Sequence, residues 1–195
     1  MANTSATGGP LTPQVPPGPT ILEGTALQDF FQGWLVGITG LPGSLFRPRW
    51  QPEPPNIPPV NTDWAAFGIV SRKSDVFAAE FPDPSNPGYN VIRRHQILHI
   101  LVSFYGPNAD MYADILNDGL QVAQNLELLS QNSMGLVESG DITTVPELVK
   151  QKWLYRVDLP FSVRRQLVRD YGVETIQSAQ VTLNNEIYTE QINTP

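Results

Sequence analysis

Residues Tyr89–Leu129, YNVIRRHQILHILVSFYGPNADMYADILNDGLQVAQNLELL, decide the fold. From Val91 to Tyr105 apolar residues alternate with polar ones: Leu98, Ile100, Val102 and Phe104 at even positions, Arg93, His95, His99 and Ser103 at odd ones. This is the pattern of a long strand in a sheet with one buried face. Gly106-Pro107 breaks it. Asn108 follows as a helix N-cap, its side-chain oxygen placed to accept from the unpaired amides of a first turn. Beyond it Tyr112, Ile115, Leu116, Gly119, Val122, Ala123 and Leu126 have the spacing of one helix with one buried face. The centre of the chain reads as strand, tight turn and helix, with no catalytic signature in or near it.

Working outward toward the N-terminus, Trp64–Ser71 (WAAFGIVS) is a good strand, and it is expected to form a long hairpin with Val91–Tyr105. Between them, residues 72–88 hold Pro82, Asp83, Pro84, Ser85, Asn86, Pro87 and Gly88, a turn-rich loop. Residues 46–59 are Pro-rich; the prolines forbid a central strand, so short strand-like pieces near Leu45–Trp50 and an extended surface loop are expected, with Arg47 and Arg49 pointing outward. From Thr25 a helix is expected: Leu27, Phe30, Phe31, Trp34, Leu35 and Ile38 fall on one face, and Gly40 supplies a stop. That face reads as core packing against the sheet, with an oligomer contact as the other option. Residues 1–20 are small, polar and rich in Gly and Pro, too poor in apolar side chains to offset the entropy of ordering. A flexible arm, drawn at residues 1–22, is expected.

Toward the C-terminus, a short strand is expected at Met134–Glu138 and a helical turn at Pro146–Gln151. Lys152–Asp170 alternates again, with Val157, Leu159, Phe161 and Val163 on one side and Arg156, Asp158, Ser162 and Arg164 on the other. A last strand is expected within Val173–Leu183, with fraying after Asn184. The reading is a single α/β domain of the α+β type over residues 23–195: a mostly antiparallel twisted sheet flanked by helices, with long Pro-rich loops.

Composition narrows the function classes. The 195 residues are 41% hydrophobic, enough for a sizeable core, with no apolar run long enough for a transmembrane helix. A basic stretch followed by an apolar one is missing from the first residues, so no signal peptide is expected. Absence of Cys excludes disulfides, thiolate metal sites and a Cys nucleophile, and fits a reducing compartment. The formal net charge of -7 argues against DNA binding by the whole surface, though not against a surface that DNA passes without sticking. His95 and His99 would share a face on a helix, but on a strand they stand about 13 Å apart at about 3.3 Å per residue, too far for one metal. No Ser–His–acid spacing, phosphate-binding loop or nucleotide fingerprint occurs, and Asp75, Asp83 and Asp158 form no recognisable carboxylate pair. No catalytic, metal or cofactor residue is therefore assigned. Asp110, Asp114 and Asp118 lie along one helical stripe, which reads either as a solvated face or as an acidic wall that repels DNA phosphates.

The segments QDFFQGWL, RPRWQPEPPNIPP, RRHQILHILVSFYGPNA and WLYRVDLPFSVRRQLVRDYGVETIQSA, in this order from about Gly24 to about Leu183, resemble the neck or tail terminator family of tailed bacteriophages. The YGPNA turn with its helix and the R-x-D-x-x-F pattern at Arg156, Asp158 and Phe161 are the most specific pieces. The resemblance implies a tail-terminator-like α/β subunit of a sixfold ring at the neck of the virion, assembled in the host cytoplasm. Such a ring caps the tail tube, stops its polymerisation and offers a surface to the head-completion or stopper protein, while double-stranded DNA passes through the lumen without specific binding. It implies no turnover, no cofactor and no membrane. On that reading Asp110, Asp114 and Asp118 face the lumen, and Arg47, Arg49, Trp50, Arg156, Asp158, Arg164, Arg165 and Arg169 are candidates for contacts with neighbouring subunits or proteins. A head–tail connector or stopper on the head side of the neck is the nearest alternative; a soluble enzyme or small-ligand-binding protein is the more distant one.

Overall fold

The computed structural model describes residues 9–13, 21–53, 55–149, 151–173, 178–183 and 186–191. In chain order the elements are α1 (Gly24–Thr39), β1 (Phe46–Pro48), β2 (Trp64–Ser74), β3 (Ala79–Pro82), β4 (Tyr89–Tyr105), α2 (Ala109–Gly119), α3 (Ala123–Gln131), β5 (Met134–Ser139), β6 (Thr143–Thr144), β7 (Glu147–Val149), β8 (Lys152–Leu154), β9 (Arg156–Gly172), β10 (Ser178–Leu183) and β11 (Glu186–Gln191). The fold is α+β. A seven-stranded sheet carries the order β1-β2-β4-β9-β5, with β3 pairing β4 and β6 pairing β9, and two further two-stranded sheets pair β7 with β8 and β10 with β11. Among these pairs, β1 against β2 is parallel. Contacts separate two compact units. The larger spans Thr20–Phe77 and Arg94–Leu167; the smaller includes Ala78–Arg93 and the chain from Val168 onward, so β4 and β9 each supply residues to both.

The larger unit forms as the alternation dictates. Trp64 pairs with Tyr105 and Phe67 with Val102, so β2 and β4 are the expected antiparallel hairpin partners. Leu98, Ile100, Val102 and Phe104 are buried with Val157, Leu159, Phe161 and Val163 of β9. The apolar stripe of α1 closes on that face: Leu27, Phe31, Trp34 and Leu35 are buried, and Gly40 ends the helix at φ 71, a left-handed conformation that glycine adopts without strain. The Trp34 ring meets Phe161 edge-on with centroids 6.0 Å apart, and its Nε1–H donates to the carbonyl of Asn125 at 2.8 Å. The helix face of α1 is core, as its spacing predicts. β1 stands at the sheet edge, the position that tolerates Pro48 because no ladder donor is needed on its outer side.

Several expectations are corrected. The helix expected to run from Ala109 through Leu129 is two helices, broken where Val122 becomes extended at ψ 123. The break follows Gly119, which is packed so closely that an added Cβ would overlap Ile38 Cγ2 of α1. The buried residues of α2 are Ala109, Ala113 and Leu116, while Ile115 and Val122 are exposed, so the face turned inward is shifted from the one expected. Asn108 occupies the N-cap position without a side-chain cap bond. Instead its amide N and Nδ2 donate to the Asp63 carboxylate at 2.9 and 2.8 Å, tying the turn to the start of β2.

Pro146–Gln151 is not a helical turn. Glu147–Val149 is β7, and a tight hairpin returns it into β8. Gln151 adopts φ 63 in that turn, a left-handed conformation outside the usual Gly or Asn signal. The alternation expected to be continuous from Lys152 is likewise interrupted before β9 begins at Arg156.

In the smaller unit, β3 pairs with β4 from Ala79↔Arg93 to Pro82↔Asn90, a strand hidden in the turn-rich stretch. Asp83 then accepts from the amide and hydroxyl of Ser85, bonds that hold its carboxyl below the ordinary range. The expected fraying after Asn184 is also corrected: Glu186–Gln191 pairs in register with Ser178–Leu183. The flexible arm expected at the N-terminus falls largely outside the described residues.

Candidate functional site

The sheet face turned away from the helices carries the polar half of each alternating strand. Arg156 and Asp158, two residues apart on β9, project to the same side and form a bidentate pair: Nε to Oδ1 at 2.8 Å and Nη2 to Oδ2 at 2.7 Å. Ser103 of β4 is fully buried; its hydroxyl donates to Asp158 Oδ1 and accepts from Arg49 Nη2. Glu147 of β7 lies 3.5 Å from Arg156 Nη1 at the rim. The result is a chain of charge, Arg49–Ser103–Asp158–Arg156–Glu147, drawn from four separate segments. Arg156 is held in its charged form chiefly by the Asp158 hydrogen bond, which pushes its already high pKa further up. Beside it the Tyr105 phenol is pushed above its usual range by burial, against the opposing pull of Arg156 and Arg49.

Aromatic rings seal this cluster. Trp64 stacks on Tyr105 at 4.0 Å and 7°, with the Arg47 guanidinium 5.9 Å from its ring centroid. Arg47 also donates to the carbonyls of Ser44 and Asn56, fixing the Pro-rich loop. Trp50, at φ 57, lays its ring over Gly68, where a Cβ would stand 2.6 Å from Cζ3; the residue as a whole stays 68% exposed. Arg47 and Arg49, expected to point outward, are thus half-buried and engaged within the chain.

The remaining candidates separate. Arg165 is turned inward, at 4% exposure, because it shares the face of Val163; it donates to Gln96 Oε1 at 2.9 Å and the Leu22 carbonyl at 2.8 Å. Arg165, a candidate for contacts with neighbours, is thus engaged within its own chain. Arg164 projects oppositely and is exposed, and Arg169 is half-buried on β9 in the smaller unit. Asp110, Asp114 and Asp118 are all exposed on α2; Asp110 accepts from the Tyr155 hydroxyl at 2.7 Å, which pushes that phenol's pKa up.

One cluster has the residue types of nucleophilic catalysis. His99 Nδ1 lies 3.0 Å from Ser162 Oγ, which donates to Glu138 Oε1 at 3.3 Å, beside a cavity of about 170 Å3. The order is wrong for a triad: the carboxylate engages the serine, whereas a triad needs it to orient the imidazole. Among the described residues, no group of three or more His, Asp or Glu is placed to hold a metal, and no helix is long and apolar enough to cross a membrane. What these side chains do is lock β1, β4, β7 and β9 to one another and leave charge and aromatic surface at the rim.

The cluster was present in the sequence as two half-signals: Ser103 among the polar positions of one strand, Arg156 and Asp158 among those of another. The register between the strands, which joins them, had no local marker. A family model described as phage neck terminator protein matches residues 25–187, a span that takes in α1 from its second residue and the whole of the polar cluster. No curated protein matches the chain.

Proposed function

The chain belongs to the phage neck terminator family, and on that premise we propose that it is the subunit of a ring that caps the tail tube at the neck. The coarse role follows from membership: a structural protein of the phage neck, part of the virion. The finer role is that of a tail terminator. The ring ends tube polymerisation, presents its other side to the head-completion or stopper protein, and lets double-stranded DNA pass through its lumen. It assembles in the host cytoplasm and uses neither cofactor nor turnover.

The observation that carries this reading is the family match over most of the folded chain. Two features support it. The polar cluster consumes its own charges internally, which suits a rigid building block better than a site that must receive a substrate. The formal net charge of -7 suits a channel, because every phosphate contact would retard the passage of DNA. A closed ring of identical subunits requires two different, complementary surfaces on each.

Electron microscopy of a lysate in which this gene carries a nonsense mutation tests the role. Overlong or headless tails beside full heads are expected. Heads that leak DNA, with tails of normal length, would move the protein to the head side of the neck, and normal infectious virions would end the structural reading.

A further inference from the structure

The polar sheet face of the larger unit holds an open groove of about 840 Å3 between the end of β2, the middle of β4 and strands β9 and β5. Its floor includes Ile97, and its walls carry Lys73, His95 and Arg164 with the exposed apolar side chains of Val76 and Val137, and one carboxylate, Asp75, which accepts from the His95 amide. Neither Lys73 nor Arg164 is paired with a carboxylate among the described residues. Lys73 and Arg164 outnumber the one lining carboxylate, Asp75, so on a chain with a formal net charge of -7 the groove holds a local surplus of positive charge beside apolar surface.

The complementary surface is on the same unit, across the sheet. On α2 the carboxylates Asp110, Asp114 and Asp118 run in one row, and Met111 and Ile115 run alongside in the next, exposed by 47% and 37%. Asp114 and Asp118 take part in no ion pair among the described residues. Since α2 packs on the apolar face and the groove opens on the polar face, the two surfaces cannot meet within one subunit.

Resting on the ring reading, we infer that the groove receives the α2 face of a second copy of this chain, with Asp114 and Asp118 against Lys73 and Arg164, and Met111 and Ile115 against Val76 and Val137. The contact joins two different surfaces, so it propagates from subunit to subunit and can close into a ring. An exposed apolar row beside the carboxylates favours this position over a place on the lumen wall, where the apolar row would face water and passing DNA. Surface ion pairs add little affinity but set partner and register, and the apolar row supplies the rest.

The test is a charge swap, read as molar mass by light scattering against concentration, with circular dichroism to confirm folding. Lys73→Glu with Arg164→Glu, and separately Asp114→Lys with Asp118→Lys, are each expected to weaken self-association by roughly tenfold or more. All four substitutions in one chain restore complementarity and should recover it. If the wild type associates and the two reversed variants associate equally well, the groove inference fails and the ring reading stands. The inference also fails if only the groove variant is impaired, because α2 is then not the occupant. A wild type that stays monomeric at every concentration, and also in the presence of tail tube protein, overturns the ring reading and this inference together.

Discussion

At the scale of single residues, the polar cluster makes its members interdependent. Asp158 is 13% exposed and neutralises Arg156 while accepting from Ser103. Removing it strands a mostly buried guanidinium, so Asp158→Ala is expected to cost about 2–4 kcal/mol. The Arg156→Ala/Asp158→Ala double variant should cost clearly less than the two single losses added. Urea unfolding midpoints measure all three; additive losses would mean that the two residues act separately. Tyr105 gives the cluster a pH signature. Burial raises its pKa in the folded protein above the unfolded value of 10.0. The folded state therefore keeps the proton longer than the unfolded chain, and the associated stability is intact below about pH 10 and is lost as pH rises through the folded pKa. Tyr105→Phe should flatten the fall in unfolding midpoint on the alkaline side. An unchanged alkaline slope would assign that fall to other groups.

Among the elements, α1, β2, β4 and their hairpin were legible because each is long and keeps one period: a stripe of Leu27, Phe31, Trp34 and Leu35, and an alternation from Leu98 to Phe104. The rest was hidden for identifiable reasons. β3 is four residues among turn formers, and the β7–β8 hairpin turns through Gln151, which carries no turn signal. The break between α2 and α3 looked like a continuous helix because Gly119 fits a helical face as well as it ends one. Its role is in packing against Ile38, which only the tertiary structure displays. Gly119→Ala is expected to cost about 1–3 kcal/mol by forcing α1 and α2 apart. If the contact with Ile38 is the cause, Ile38→Ala should make room for the new methyl, so that adding Gly119→Ala to that background costs little. A double-mutant cycle on unfolding free energy reads the coupling, and equal penalties in both backgrounds would place the strain elsewhere.

For the whole molecule, the family was legible through the order of four segments along the chain, whereas the surfaces that would join subunits were not. The -7 charge is a sum over 12 basic and 19 acidic residues, and it conceals a groove where Lys73 and Arg164 form no ion pair among the described residues and outnumber the one lining carboxylate, Asp75. Composition alone gave no means of finding it, because Lys73 and Arg164 are brought together only by β4 lying between their strands. The same distinction decides how the proposed ring would meet DNA. If the ring forms as proposed, the groove is filled by a neighbour and its cations are withdrawn from a passing duplex, leaving a surface with a net negative charge. Phosphate binding releases counterions and is strongest at low salt, so low salt is the most demanding condition for a channel that must not hold DNA. The assembled protein should leave duplex DNA unretarded in gel electrophoresis even there. Retardation that disappears as salt is added, and that Lys73→Glu with Arg164→Glu abolishes, would mean that the groove stays open to phosphates. The lumen and the subunit boundary would then have to be assigned anew.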